Sequence, residues 1–306
     1  MTTHNNNIYS WSESRPDIYV HLVDIRNHHS SIYSNHIRTW NIAAAFDIET
    51  SSFYNSNGEK TASMYEWTFI IDDLIVYGRR WDEFIELTEL LIDIFNLSQE
   101  LRLLIFVHNL SYELGFMYKL FDWKKVFCVG NRQPVYALTL SGIMFRCSYL
   151  LSGESLAMLA KDVGSVDKLV GDLDYDKIRH SDTPLTREEL QYCFNDVIIV
   201  RDYILKEIKD NRNITRIPLT KTGYVRRYCR EQCLGGAATT RKGRSIEHNN
   251  KDIRKYKKMI RNSDLTVDEY KQIKRAFAGG FTHANWIRCN KIYKEVDSED
   301  ETSSYP

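Results

Sequence analysis

The chain has 306 residues, 43% of them hydrophobic and 27% charged, with only 5 Pro. That composition predicts a globular protein of up to two domains and excludes a disordered, collagen-like or coiled-coil chain. Its net charge of zero is a sum of opposites: residues 211–294 hold 21 basic and 6 acidic side chains, a surplus of +15, and the remainder is correspondingly acidic. Such asymmetry suits a chain in which one sector meets a polyanion and the other holds cations or is simply solvated.

Residues 1–16 read as a polar, frayed start, and Asp17 to Ile25 alternates as a half-buried strand does. Asn41 to Glu49 is an apolar run ending in carboxylates, and Trp67 to Tyr77 reads as two strands or one bent one. Phe84, Leu87, Leu91 and Phe95 fall on one helical stripe. Leu101 to Val107 predicts a buried strand that turns at once into a helix, HNLSYELGFMYKLF. Val126 to Gly130 and Val135 to Tyr149 suggest a hairpin, and Ser155 to Asp162 a short helix. Thr186-Arg-Glu-Glu189 is a capping box after Pro184, opening a helix that runs to about Asp210. Strands interleaved with helices predict an α/β fold. The boundaries are an N-terminal extension at 1–40, a domain at 41–210 and a basic, mostly helical segment at 211–306.

Six Cys are too sparse for a disulfide scaffold, and Cys229 and Cys233 lack a second pair at zinc-finger spacing. Free thiols are therefore expected. The N-terminus has no basic start followed by an apolar run, and no stretch approaches about 18 apolar residues, which predicts a cytoplasmic chain without membrane partners.

Four acidic residues fall where these elements would converge. Asp47 and Glu49 lie two apart on a strand and so leave the same face. Glu113 is on the helix after the next strand, four residues beyond Asn109, and Tyr192 and Asp196 stack one turn apart on the capped helix. Converging carboxylates repel one another unless cations sit between them, and hard oxygen ligands suit two Mg²⁺, or Mn²⁺ in their place. Two such ions activate a water and stabilise the leaving oxygen of a phosphodiester.

The order FDIET, HNLSYE, YCFND resembles the three exonuclease motifs of the DEDDy 3′–5′ exonuclease domain in family B DNA polymerases. That resemblance implies a ribonuclease H-like fold, a mixed sheet flanked by helices. It implies that Asp47, Glu49, Glu113 and Asp196 hold the metals, that Tyr192 orients the water, and that Asn109, Ser155 and Leu156 grip single-stranded DNA. Glu113 stands where the family carries Asp. The family's protein-primed members resemble the string Gly171 to Tyr175 and also use a lysine upstream of the third motif, for which Lys161 and Lys168 are the candidates. AFAGGFTHAN, with Gly279 and Gly280, resembles the Y-x-G-G loop that approaches DNA, with Phe277 in place of Tyr. DETSSYP resembles polymerase motif A, in which Asp300 would bind metal and Tyr305 pack under the nucleotide sugar. No further polymerase motif follows, so the sequence predicts a DNA polymerase N-terminal portion that proofreads and does not synthesise alone.

The partners this implies are single-stranded and primer–template DNA, a separately encoded polymerase C-terminal part and a terminal protein. Two alternatives remain at this stage, a nuclease-inactive DNA-binding subunit and a stand-alone DEDDy nuclease.

Overall fold

A computed structural model of the chain describes residues 6–54, 56–129, 133–166, 168, 169, 177–233, 258, 259, 262 and 265–276. Two compact units divide between Cys229 and Arg230. The first is built on a ten-stranded mixed sheet in the order β1-β6-β5-β4-β7-β10-β9-β8, with the small hairpin β2–β3 joined to β7. The strands are β1 (Asn7–Ser10), β2 (Ser31–Ser34), β3 (Ile37–Trp40), β4 (Ala44–Tyr54), β5 (Lys60–Ile71), β6 (Leu74–Gly78), β7 (Leu101–Val107), β8 (Trp123–Val129), β9 (Gln133–Thr139) and β10 (Ile143–Cys147).

Helices cover both faces. On one side lie α1 (Arg15–His28), α2 (Trp81–Phe95) and α3 (Leu110–Met117); on the other lie α5 (Leu156–Val163) and α6 (Arg187–Asn211), with the short α4 (Ser148–Ser152) following β10. Strand periodicity sorts the core into two layers. Phe46, Trp67, Phe69, Ile105 and Phe145 pack with Phe84 and Leu87 of α2, whereas Ala43, Ala45, Ile70, Leu104 and Phe106 pack with Val197, Val200 and Ile204 of α6. The first layer is rich in aromatic rings: Phe46 and Phe84 stack at 4.3 Å between centroids and Trp67 lies 5.3 Å from Phe84.

Residues 15–28 form a helix, where alternation predicted a strand. The buried positions are Ile18, Leu22 and Ile25, spaced four and three apart, and Pro16 sits in the first turn. Tyr19 and Val20, which lie within the stretch expected to be a strand, are exposed. The polar N-terminus also carries structure, since β1 pairs in parallel with β6 from Asn7↔Leu74 to Ser10↔Tyr77. Residues 7–40 thus supply β1, α1, β2 and β3 to the first unit. Trp67 to Tyr77 spans two strands turning at Asp72, whose φ is 54°, and Val135 to Tyr149 covers β9, β10 and the start of α4.

The capped helix α6 appears with its box complete. Thr186 Oγ1 accepts from the Glu189 amide at 3.2 Å and Glu189 Oε2 accepts from the Thr186 amide at 2.8 Å. Beyond α6, a 3₁₀ turn (Ile214–Arg216) leads to α7 (Lys221–Cys233). The described part of the second unit is mainly α8 (Val267–Ala276), capped by Thr266 with Glu269. Among the described residues no helix is long and apolar enough to cross a membrane, and Cys128, Cys147, Cys193 and Cys229 are free thiols.

Candidate metal centre

The parity that sorts the core also places the carboxylates. Along β4, Ala43, Ala45, Asp47 and Glu49 share the α6 face, while Phe46 and Ile48 belong to the aromatic layer. The apolar run therefore ends with two carboxylates pointing toward the first half of α6, where Tyr192 and Asp196 lie one turn apart and buried. A register shift after Glu49, where Glu49 pairs with Glu66 but Thr50 with Met64, locally bends the β4–β5 ribbon beside the cluster.

Ligand oxygens of Asp47, Glu49 and Asp196 all lie within 4.8 Å of one another. Glu113, buried on α3, is outside this close group but is the largest charge acting on Asp47. The electrostatics show how poorly the cluster tolerates its own charge. Burial, then Glu113, Asp196 and Glu49, push the Asp47 carboxyl well above its usual range. Glu49 is raised to about 8 by burial and by Glu66 and Asp196, and Glu113 to about 8 by burial. Asp196 is also raised by burial, against the opposing pull of Lys168.

One positive group answers this charge directly. Lys168 Nζ lies 2.6 Å from Asp196 Oδ2, 3.4 Å from the Tyr192 hydroxyl and 4.9 Å from the centre of that ring. Of the two candidate lysines, Lys168 stands at the cluster, and Lys161 is exposed in the last turn of α5. Asp196 Oδ1 and Glu113 Oε2 are buried with no hydrogen-bond partner among the described residues. A close group of three carboxylates, one with an orphaned oxygen, is the donor set a hard divalent cation requires, so Asp47, Glu49 and Asp196 fit Mg²⁺ or Mn²⁺.

Two arginines, one buried and one half-buried, tie down the approach to α6. Arg179, 2% exposed, donates through Nη2 to Glu189 Oε1 at 2.6 Å and through its amide to Ser51 Oγ at 2.8 Å, tying the helix cap to β4. Arg79 donates to the carbonyls of Tyr65, His180 and Thr183. Between them they fix the approach to α6 and hence the height of Tyr192 and Asp196 over β4.

An open groove of about 660 Å³ adjoins Glu49, lined also by Thr50, Tyr54, Lys60, Tyr112 and Ile178. Tyr112 is 43% exposed and its hydroxyl bonds Thr50 Oγ1. Asn109 is exposed at the N-terminus of α3, where its side chain makes no capping bond. Ser155 accepts from the Met158 amide as the N-cap of α5, and Leu156 is buried in the α6-side core. Gly279, Gly280, Asp300, Tyr305 and the string Gly171 to Tyr175 lie outside the described residues.

With the sheet order and the cluster in view, the chain was compared with known proteins. The fold is shared with phi29 DNA polymerase. Its complex with single-stranded DNA matches at a TM-score of 0.54 and 17% identity, over 80% of this chain and 41% of that one. The ternary complex of the same polymerase with primer-template DNA and incoming nucleotide matches at 0.51 and 19%, over 81% and 40%. The chain thus spans about two fifths of the polymerase whose fold it shares. At this identity the likeness shows the fold alone, a mixed central sheet flanked by helices of the ribonuclease H-like class. No family model matches the chain, and no curated protein matches it by sequence.

Three contributors were missed in the sequence. Glu66, 1% exposed, lies opposite Glu49 on β5, accepts from Thr68 Oγ1, and is raised to about 7 by burial. Its signal was a lone charge inside the apolar run MYEWTFII. Tyr112 sits beside Glu113 within HNLSYE, and its exposure on the groove depends on the fold rather than on local pattern. Arg179 has no local pattern that announces burial.

Proposed function

We propose that this chain carries a metal-dependent 3′–5′ exonuclease and corresponds to the N-terminal, proofreading part of a family B type DNA polymerase. The observation that carries the reading is the close group of Asp47, Glu49 and Asp196, joined by Lys168 and Tyr192, at the end of an open groove. A 3′ end entering the groove finds an exposed aromatic ring at Tyr112 on which a base stacks, and the exposed Asn109 amide, which offers a donor and an acceptor to sugar or phosphate. Asp47, Glu49, Asp196 and, from α3, Glu113 would hold divalent cations, which supply an activated water and neutralise the leaving oxygen.

Tyr192 presents its hydroxyl at this centre and orients the attacking water. Lys168, within hydrogen-bond reach of both Tyr192 and Asp196, sets the direction of that hydroxyl and places a fixed positive charge beside the reacting phosphate. Synthesis would need palm residues that the described residues do not include, so the polymerase role, primer–template DNA, a separately encoded palm and a terminal protein belong to this proposal as partners to be tested.

The position of Glu113 outside the close group favours a second reading, a DNA-binding subunit whose nuclease is weak or absent. One assay separates the two. The exonuclease reading predicts Mg²⁺-dependent shortening of 5′-labelled single-stranded DNA from its 3′ end, lost in Asp47→Ala/Glu49→Ala. Persistence of hydrolysis in that variant overturns the metal assignment; salt-sensitive DNA binding without hydrolysis in the wild type selects the second reading.

A further inference from the structure

The exposed face of α3 leads away from the candidate metal centre into a second groove. Tyr112 lines the first groove, and its neighbour Ser111 lines the second, about 480 Å³, together with Leu114, Gly115 and Tyr118 from the helix and its end and Cys128 and Pro134 from the β8–β9 hairpin. The two grooves therefore border the same helix at consecutive residues.

Gly115 is the informative residue. A glycine inside a helix lowers its stability relative to alanine, so a helix keeps one where something must come close. Nothing among the described residues does: a Cβ built at Gly115 meets no described atom within 4 Å. The surroundings have the character of a nucleic-acid surface. Tyr118 is 58% exposed beside the groove, offering a flat ring. The exposed charged side chains between Leu110 and Val129 are Lys119, Lys124, Lys125 and Asp122, a positive surplus complementary to a phosphate backbone.

We propose that this groove is a second stretch of the single-strand path, in which nucleotides upstream of the 3′ end cross α3 over Gly115 and stack on Tyr118. The inference rests on the exonuclease reading and adds to it a length requirement on the substrate.

The test compares oligothymidylates of about 4 and about 16 nucleotides as substrates in Mg²⁺. The longer one is expected to show a roughly tenfold lower KM with the wild type, the effect of about one stacked base. Gly115→Glu, which places a carboxylate in the groove, should raise the KM of the longer substrate toward that of the shorter, and Tyr118→Ala should do the same. Gly115→Ala fits the open space and should melt no lower than the wild type, which separates groove effects from misfolding.

A length advantage that survives in Gly115→Glu, or that is absent in a wild type hydrolysing both substrates, overturns the proposal. So does a concentration-dependent dimer that Gly115→Glu abolishes without changing KM, which would assign the groove to a second copy of the chain. Failure of the wild type to hydrolyse either substrate is a failure of the exonuclease reading alone. The groove is then judged by fluorescence anisotropy on the longer oligonucleotide, where equal affinity in wild type and Gly115→Glu overturns it.

Discussion

Along β4, Phe46 and Ile48 enter a dry aromatic layer, while Asp47 and Glu49, one residue out of step, enter a layer shared with Glu66, Lys168, Asp196 and Arg179. The strands are common to both faces; the side chains are not. One face gains its stability from ring contacts such as Phe46 on Phe84, and the other gathers carboxylates whose raised pKa values report mutual repulsion and lost hydration. The contrast teaches that the two-residue period of a strand is enough to set a carboxylate cluster at the end of one core layer while the other face of the same strand stays apolar.

Substitutions on the two faces should therefore diverge. On the α6 face, Asp47→Asn and Asp196→Asn should each lower 3′-end hydrolysis by roughly 10³-fold, an increase of about 4 kcal/mol in the barrier. Without divalent cation Asp47→Asn should melt at or above the wild-type temperature, because it removes a buried carboxyl that faces Glu113, Asp196 and Glu49. A large drop in melting temperature would break the separation. On the aromatic face, Phe84→Ala should cost about 3–5 kcal/mol in urea unfolding, through the transfer of a buried ring and the cavity left behind. Its remaining folded fraction should still bind Mn²⁺.

A smaller effect distinguishes the lysines: Lys168→Met should slow hydrolysis by roughly 10²-fold, and Lys161→Met should leave the rate as it is. Similar losses in both would remove Lys168 from the centre. The mildest effect is on pH dependence. Glu49 and Glu113, raised to about 8 in the folded chain, bind more protons there than unfolded between their ordinary range and pH 8. In EDTA, thermal stability should accordingly fall as pH rises from about 5 to about 8, and divalent cation should remove the decline. A melting temperature that rises over that interval would contradict the charge assignment.

Much of this arrangement was legible in the residues themselves. The Asp47-x-Glu49 spacing fixes a shared face, and Thr186 with Glu189 announces where α6 begins and hence where Tyr192 and Asp196 fall. What escaped depends on partners distant in sequence. β1 is a strand because β6 lies beside it, 66 residues or so away, and its own polar residues give no sign of it. In α1, β-branched residues fall in alternation by chance and hide the helical spacing of Ile18, Leu22 and Ile25. Lys168 lies in a segment without periodicity after α5, so only the fold could choose between it and Lys161. Glu66 reads as an ordinary strand residue until its neighbour across the ladder proves to be Glu49.

The central claim is that the carboxylates on the α6 face form a divalent-cation site. Mn²⁺ binding followed by electron paramagnetic resonance near pH 8 tests it without relying on turnover or on DNA. Saturable binding is expected in the wild type and in Phe84→Ala, and its loss in Asp47→Asn/Glu49→Gln. Equal binding by the wild type and the double variant would contradict it.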